Sequence, residues 1–159
     1  MRIIADLSKG TLLVNGAVFQ ITCNVRSLSN KQRRRKSDDV ARSIPDYLPY
    51  DPRPFLKGLW EITAVEWQDK VGFDAWTYGP VKIRTNAWCW VNVWELDKDG
   101  DYLRETERRV KDGAYHLHYS SSSTTLGCIR LASPKDARAI AGIVQGALKQ
   151  GEPVELEVV

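Results

Sequence analysis

Histidine and cysteine are rare in this chain of 159 residues: there are two histidines and three cysteines. An odd and small number of cysteines excludes the evenly paired disulfide framework of a small secreted domain. No apolar run approaches the ~20 residues that a membrane-spanning helix needs. The opening residues, MRIIADLSKG, lack the long apolar core and cleavage site of a secretory signal. We therefore expect a globular domain without a membrane span, in which each histidine and cysteine can be considered individually.

A large excess of one charge sign is also missing. The net charge is +3, and five of the positive side chains lie in one run at residues 31–36. A nucleic-acid-binding protein usually spreads its positive charges over a face, so we expect no nucleic-acid partner. The run lies within residues 26–58, where four prolines and many charges predict a long irregular excursion of the kind that is often functional or mobile. Two interpretations of the run remain open: a solvated loop, or a contact with an anionic polymer or surface.

Short apolar runs predict one mainly β domain over residues 1–159, either a β-sandwich or a barrel, with most strands antiparallel. Asn15 and Gly16 form the dipeptide that favours a tight hairpin turn. The predicted strands are RIIADL, TLLV, AVFQITCNV, LWEITAVEW, PVKIR, AWCWVNVWEL, YHLH and VELEV.

One α-helix is predicted in the C-terminal region. Ser133 is a typical N-cap, Pro134 suits the first helical position, and Gly151 suits the end. Between them, apolar residues recur at helical spacing. A second, short helix is predicted at 102–110, after the segment DKDGD. That segment resembles a calcium-binding loop, but its glycine and its final glutamate do not fit the loop pattern, so we expect a turn.

The three cysteines differ in their neighbours. Cys89, in WCWVNVW, alternates with tryptophans and is predicted to be a core thiol, and Cys23, at the end of an alternating run, is predicted to be one too. Cys128 instead lies in YHLHYSSSSTTLGCIRL, residues 115–131, with both histidines close by in sequence.

This stretch suggests nucleophilic chemistry. A thiol attacks as its thiolate, and a nearby imidazole can act as the base or as the paired cation. Gly127 allows a close approach of the backbone, whose N–H groups would face a developing oxyanion. Arg130 can bind a carboxylate through two hydrogen bonds. Two alternatives stay open: a zinc site formed by the two histidines with Cys128, and a solvated Ser/Thr loop without chemistry.

Residues 125–131, TLGCIRL, resemble the signature of the YkuD-like L,D-transpeptidases, in which Ser/Thr-His-Gly-Cys precedes an apolar residue and Arg or Asn. The segments RIIADLSKGTLLVNGAVFQITCNV, PRPFLKGLWEIT and YGPVKI are similar to other parts of that family, as is the following helix with Asp136. Leu126 departs from the family's usual histidine. The short interval between His118 and Cys128 is more like the type VI secretion effectors of the same fold, which act on peptidoglycan.

The resemblance implies the L,D-transpeptidase catalytic domain fold and a role for each matching residue. Cys128 would be the nucleophile and His118 the base, with His116 as second choice. Thr125 would hold the loop or orient the histidine, and Arg130 would support the substrate or the loop. The backbone amides of Leu126, Gly127 and Cys128 would form the oxyanion hole. Tyr119, Ser123 and Leu126 would line the substrate groove.

The activity implied is cysteine-dependent acyl transfer on peptidoglycan stem peptides through a thioester, without a cofactor or a metal. Transpeptidation, exchange of a D-amino acid and carboxypeptidation all remain open. The site of action would be the periplasm or the cell wall, with a delivery or immunity partner in the case of a secreted effector. The alternative is a catalytically silent cell-wall-binding module of the same fold.

Overall fold

The computed structural model describes residues 1–24, 54–68, 78–111, 115–122, 125 and 127–159. Within these residues the chain forms ten strands and one helix. In chain order they are β1 (Arg2–Asp6), β2 (Thr11–Val14), β3 (Ala17–Thr22), β4 (Gly58–Trp67), β5 (Val81–Thr85), β6 (Trp88–Leu96), β7 (Tyr102–Lys111), β8 (His116–Tyr119), β9 (Ile129–Leu131), α1 (Pro134–Lys149) and β10 (Glu155–Val158).

Eight strands form a closed barrel in the order β1-β10-β4-β5-β8-β9-β3-β2, and β6 pairs with β7 in a separate two-stranded sheet. The predicted mainly β architecture with one C-terminal-region helix is therefore confirmed over the described residues. Most neighbouring strands are antiparallel, as expected. Two pairs, β1 with β10 and β8 with β9, are parallel. The second of these pairs positions the candidate site.

Turn and capping residues in the sequence account for the local structure between β2 and β3 and at both ends of α1. Asn15 and Gly16 both have positive φ, 47° and 81°, as the predicted hairpin turn between β2 and β3 requires. The Ser133 hydroxyl accepts a hydrogen bond from the Asp136 N–H at 3.0 Å and caps α1. At the other end Gly151, with φ 74°, allows its own N–H and that of Glu152 to reach carbonyl groups of the last turn.

The core lies between the barrel strands and α1. The helix packs against β4, β5, β8 and β9 and buries one apolar face, made of Ala137, Ile140, Ala141, Val144 and Ala147. From the strands, Ile83, Leu117 and Ile129 are fully buried. The faces of β5, β8 and β9 that carry these residues are therefore committed to packing, and the opposite faces remain for other functions.

The short helix predicted at 102–110 is wrong, because these residues form β7, which pairs with β6 along its whole length. Charged residues with good helix propensity favoured a helix, but pairing with a neighbouring strand outweighs propensity. The turn predicted at DKDGD is confirmed: the Asp97 carboxylate accepts hydrogen bonds from the N–H groups of Asp99 and Asp101, at 2.8 and 3.0 Å. No cluster of potential metal ligands occurs among the described residues.

Some predictions fall outside the described part of the chain. They include the basic run at 31–36, nearly all of the excursion at 26–58 and the side-chain environment of Cys89. Within the described residues, no helix has the length and apolar character that crossing a membrane demands.

Candidate active site

The predicted site residues meet where β8 and β9 run side by side in parallel. Leu117 pairs with Ile129, and His118 pairs with Arg130. Because side chains alternate along a strand, His116 and His118 lie on the face opposite Leu117. Extending the register by one residue places Cys128 opposite His116. The backbone N–H of His116 donates to Cys128 Sγ at 3.5 Å, which confirms this proximity.

The same face continues across β5 and β4. Lys82 pairs with His118 in one direction and with Glu66 in the other, while Arg84 pairs with His116. We call this surface the polar face; it comprises Glu66, Lys82, Arg84, His116, His118, Cys128 and Arg130. Glu66 accepts ion pairs from Lys82 at 3.1 Å and from Arg84 at 2.7 Å. Three cations and one carboxylate give the polar face a net positive charge.

His118 has a defined tautomer. Its Nδ1 lies 2.9 Å from the Tyr119 carbonyl oxygen, which can only accept, so Nδ1 carries the proton and Nε2 keeps its lone pair. Burial lowers the pKa of His118, the Tyr119 hydrogen bond opposes that shift, and the charges of Lys82 and Arg130 add to it. The Tyr78 ring packs edge-to-face on the imidazole at 5.1 Å between centroids. His118 is thus a neutral imidazole held in the form that can accept a proton.

The surroundings of His116 disfavour its protonated, charged form even more strongly than those of His118 do. Its side chain is 3% exposed, and its Nδ1 has no hydrogen-bond partner among the described residues. Burial lowers its pKa to about 3, helped by the charges of Lys82, Arg84 and His118. His116 therefore stays neutral at every ordinary pH. It lies closer to Cys128 in the register than His118 does, but it is the weaker base.

The loop before Cys128 is closed by Thr125. The Thr125 hydroxyl donates to the Cys128 carbonyl at 2.8 Å and accepts from the Gly127 N–H at 3.3 Å. The Thr125 N–H donates to the carbonyl of Asn24 at 2.8 Å, which joins the loop to the chain just after β3. Gly127 has φ 126°, a conformation that a residue with a side chain rarely adopts. Thr125 makes no described hydrogen bond to either histidine, and the Gly127 N–H is already engaged within the loop.

Arg130 also holds the loop. Its Nε donates to the Ser120 carbonyl at 2.7 Å, and its guanidinium carbon lies 5.7 Å from the centre of the half-buried Tyr119 ring. Among the described residues no carboxylate forms an ion pair with Arg130. Within the described part of the chain its remaining N–H groups therefore keep an unneutralised positive charge, beside the aromatic ring predicted to line the groove.

Cys128 is 5% exposed, so its thiol lies under the surface of the polar face. Its sulfur accepts the His116 N–H, and the cationic side chains of Lys82, Arg84 and Arg130 belong to the same face. Ser123 and Leu126, predicted to line the groove, lie outside the described residues. The zinc site considered for the two histidines and Cys128 has no support among the described residues, since no ligand cluster forms there.

Sequence reasoning missed Glu66, Lys82, Arg84 and Tyr78. These residues come from β4, from β5 and from the segment just before β5, far from the motif in sequence. The alternation in VKIRT, residues 81–85, was the usable signal, because it puts Lys82 and Arg84 on the face opposite buried Val81 and Ile83. Only the pairing of β5 with β8 shows which residues that charged face meets.

No family model, curated protein or solved structure matches this chain. What the site can do follows from its own geometry. A thiol, a neutral imidazole with a fixed tautomer and positively charged neighbours together suit attack on an acyl carbon and binding of an anionic substrate. Among the described residues, no group of side chains has the arrangement of metal ligands that a metal-dependent hydrolase needs.

Proposed function

We propose that this protein is an L,D-transpeptidase-like enzyme that transfers acyl groups through Cys128 on the stem peptides of peptidoglycan. The observation that carries the proposal is the parallel pairing of β8 with β9, which puts His116, His118, Cys128 and Arg130 on one face. The motif TLGCIRL supplies the substrate class by its resemblance to that family.

In the first half-reaction the Cys128 thiol gives its proton to His118 Nε2. The thiolate attacks the carbonyl carbon between the L-centre of the diamino acid and the terminal D-Ala. The new Sγ–C bond makes a tetrahedral oxyanion, toward which the Cys128 N–H donates. The C–N bond then breaks, the proton on His118 passes to the leaving amine, and D-Ala departs from a thioester.

In the second half-reaction an amine or a water molecule attacks the thioester carbon. His118 takes the proton of this nucleophile and returns it to Cys128 Sγ when the C–S bond breaks. An amine gives a cross-link or an exchanged D-amino acid, and water gives a trimmed tripeptide.

The charge of the polar face fits this substrate class. Stem peptides carry free carboxylates, and a positive site attracts them and stabilises the oxyanion. Arg130 keeps N–H groups that no carboxylate of the described residues neutralises, and its guanidinium already lies against Tyr119. Arg130 is therefore the group that we assign to a substrate carboxylate near the scissile bond.

The burial of Cys128 favours a second candidate, a silent cell-wall-binding module. The thiol is only 5% exposed, and the Gly127 N–H is engaged by Thr125 instead of facing a substrate. Alkylation separates the two candidates. A catalytic Cys128 reacts well below the unperturbed thiol pKa of ~8.5, whereas in a silent module it reacts no faster than an ordinary buried thiol.

The direct test is mass spectrometry of disaccharide-tetrapeptides incubated with the protein, beside a Cys128→Ala control. We expect loss of D-Ala with the wild type and none with the variant, because alanine cannot form the thioester. Circular dichroism establishes that both proteins are folded. Turnover retained in Cys128→Ala contradicts the mechanism, and a folded but inactive wild type moves the assignment to the binding module.

The two histidines provide a second test. His118→Ala should lower kcat by about 10²–10⁴, the usual contribution of a general base, because it removes the imidazole with a fixed, proton-accepting Nε2. His116→Ala should cost much less activity, because that imidazole is too weak a base. A larger loss in His116→Ala than in His118→Ala would reassign the base to His116.

A further inference from the structure

Cys23 makes two contacts that link three parts of the chain. It follows β3 directly, and its half-buried thiol packs against the core. The Phe55 N–H donates to Cys23 Sγ at 3.5 Å, and Cys23 Sγ–H donates to the Gly127 carbonyl at 3.5 Å. The burial of Cys23 raises the pKa of its thiol, so the proton needed for the second bond is present at neutral pH.

The Phe55 contact comes from a fixed part of the structure. Phe55 is 2% exposed, and its ring packs edge-to-face with Tyr115 at 5.4 Å and with Trp60 at 6.3 Å. Its N–H therefore holds the sulfur in one place. The position of Cys23 Sγ is therefore restrained by a contact with the core in addition to its contact with the loop.

The carbonyl that Cys23 holds belongs to the peptide unit that ends in the Cys128 N–H. A peptide unit is planar and, here, trans, so its C=O and N–H point in opposite directions. Fixing the Gly127 carbonyl on one side directs the Cys128 N–H to the other side. The next peptide unit is held as well, since the Cys128 carbonyl accepts from the Thr125 hydroxyl.

Gly127 itself restricts the backbone conformation of the loop very little, so contacts from other residues must fix it. Its φ of 126° is open to glycine and strained for other residues, and a glycine has no side chain to restrict rotation of its own peptide units. The Thr125 hydroxyl restrains the N–H of Gly127, and the hydrogen bond from Cys23 restrains its carbonyl.

We propose that Cys23 is a positioning residue for acyl transfer, because its thiol orients the Gly127–Cys128 peptide so that the Cys128 N–H can donate to the oxyanion. The catalytic consequence rests on the proposed function, whereas the peptide orientation can be measured without a substrate. Cys23 itself contacts neither the substrate nor the reacting atoms.

The test compares Cys23→Ala, which has no donor, with Cys23→Ser, which keeps one. We expect kcat for D-Ala release to fall about tenfold in Cys23→Ala, less than the ~10²–10³ that follows loss of an oxyanion donor itself. KM and the pH dependence of Cys128 alkylation should not change, because the nucleophile and the polar face stay in place. Cys23→Ser should recover part of kcat.

Ile3→Val serves as a stability control in β1, since it removes one methylene from a fully buried side chain far from the loop in sequence. It should lower the melting temperature without lowering kcat. Equal losses of kcat in Ile3→Val and Cys23→Ala would show a general packing effect and overturn the inference.

NMR separates failure of the inference from failure of the proposed function. The ¹³C′ shift of Gly127 and the ¹⁵N shift of Cys128 should move in Cys23→Ala and return toward wild-type values in Cys23→Ser. Unchanged shifts in Cys23→Ala would refute the inference whatever the turnover. An inactive wild type whose shifts respond as expected would refute the proposed function and still support the role of Cys23 in orienting this peptide.

Discussion

Charge at the level of single residues explains why both histidines are neutral while the site as a whole is positive. Burial disfavours the imidazolium at both positions, and nearby cations add to the effect. Lys82 acts on both histidines. Arg84 acts on His116, and Arg130 acts on His118. A neutral imidazole on the same face as the Cys128 thiol can accept a proton, and the nearby cations help to keep that imidazole unprotonated.

Because different cations act on the two histidines, the pH dependence of activity can show which histidine is the base. The acid limb of kcat/KM reports protonation of the base, and a lowered pKa keeps that limb below the ordinary imidazole value of 6.5. Lys82→Met removes a positive charge and should therefore raise the pKa of His118 and move the acid limb to higher pH. The measurement is kcat/KM for D-Ala release across the acid range.

Arg84→Met is the matched control for Lys82→Met. Both variants remove one cation that pairs with Glu66, but only Lys82 affects His118. With His118 as base, the Arg84→Met limb stays at the wild-type pH. Movement of the limb in both variants would instead indicate His116.

Single residues also show the limit of prediction from sequence. Cys128, His118 and Arg130 were found because one short motif contains all three residue types. Lys82, Glu66 and Cys23 were missed as site residues because their roles depend on pairing between distant strands. Cys23 was predicted to be a core thiol, and its contact with the Gly127 carbonyl exists only because the segment after β3 passes beside the loop.

Among the elements, α1 was the most predictable, because its start and end signals are local. The Ser133 cap and the Gly151 end both depend on residues within one turn of the helix terminus. β7 was mistaken for a helix because its charged residues give no clear alternation. Its pairing with β6 decided its conformation, and no local signal in 102–110 carries that information.

The cap has a measurable contribution to stability. Ser133→Ala removes the acceptor of the Asp136 N–H and should lower the free energy of unfolding by about 1 kcal/mol. The helix buries one face against the barrel, so the loss should appear in the global unfolding transition. Urea denaturation measures it, with the exposed Lys135→Ala on the same helix as control. Equal effects of the two substitutions would contradict the capping role.

At the scale of the whole molecule, the sequence does not show that eight strands close into one barrel. Most of the barrel strands were predicted, but their partners were not. The parallel pairs join β1 to β10 and β8 to β9, and apolar alternation is the same whichever neighbour a strand has. The site depends on one of these pairs, so its full set of residues was beyond the reach of local patterns.

Unequal protection from hydrogen exchange should follow from this architecture. Every barrel strand has a neighbour on each side, whereas β6 and β7 pair with each other alone among the described residues. A two-stranded sheet is only marginally stable by itself, so amides of β6 and β7 should exchange faster than those of β1, β5 and β10. Hydrogen–deuterium exchange with peptide mapping measures this. Equal protection would mean that another part of the chain covers the hairpin.

The parallel pairing of β1 with β10 also determines how the domain resists force. Arg2 to Ala5 lie beside Glu155 to Val158 in the same direction, so tension applied before β1 and after β10 pulls the two strands past each other lengthwise. All the hydrogen bonds between the two strands then bear the load together instead of breaking one at a time. A machine that unfolds this domain by pulling on both ends meets its greatest mechanical resistance at the first step, before any other strand has moved.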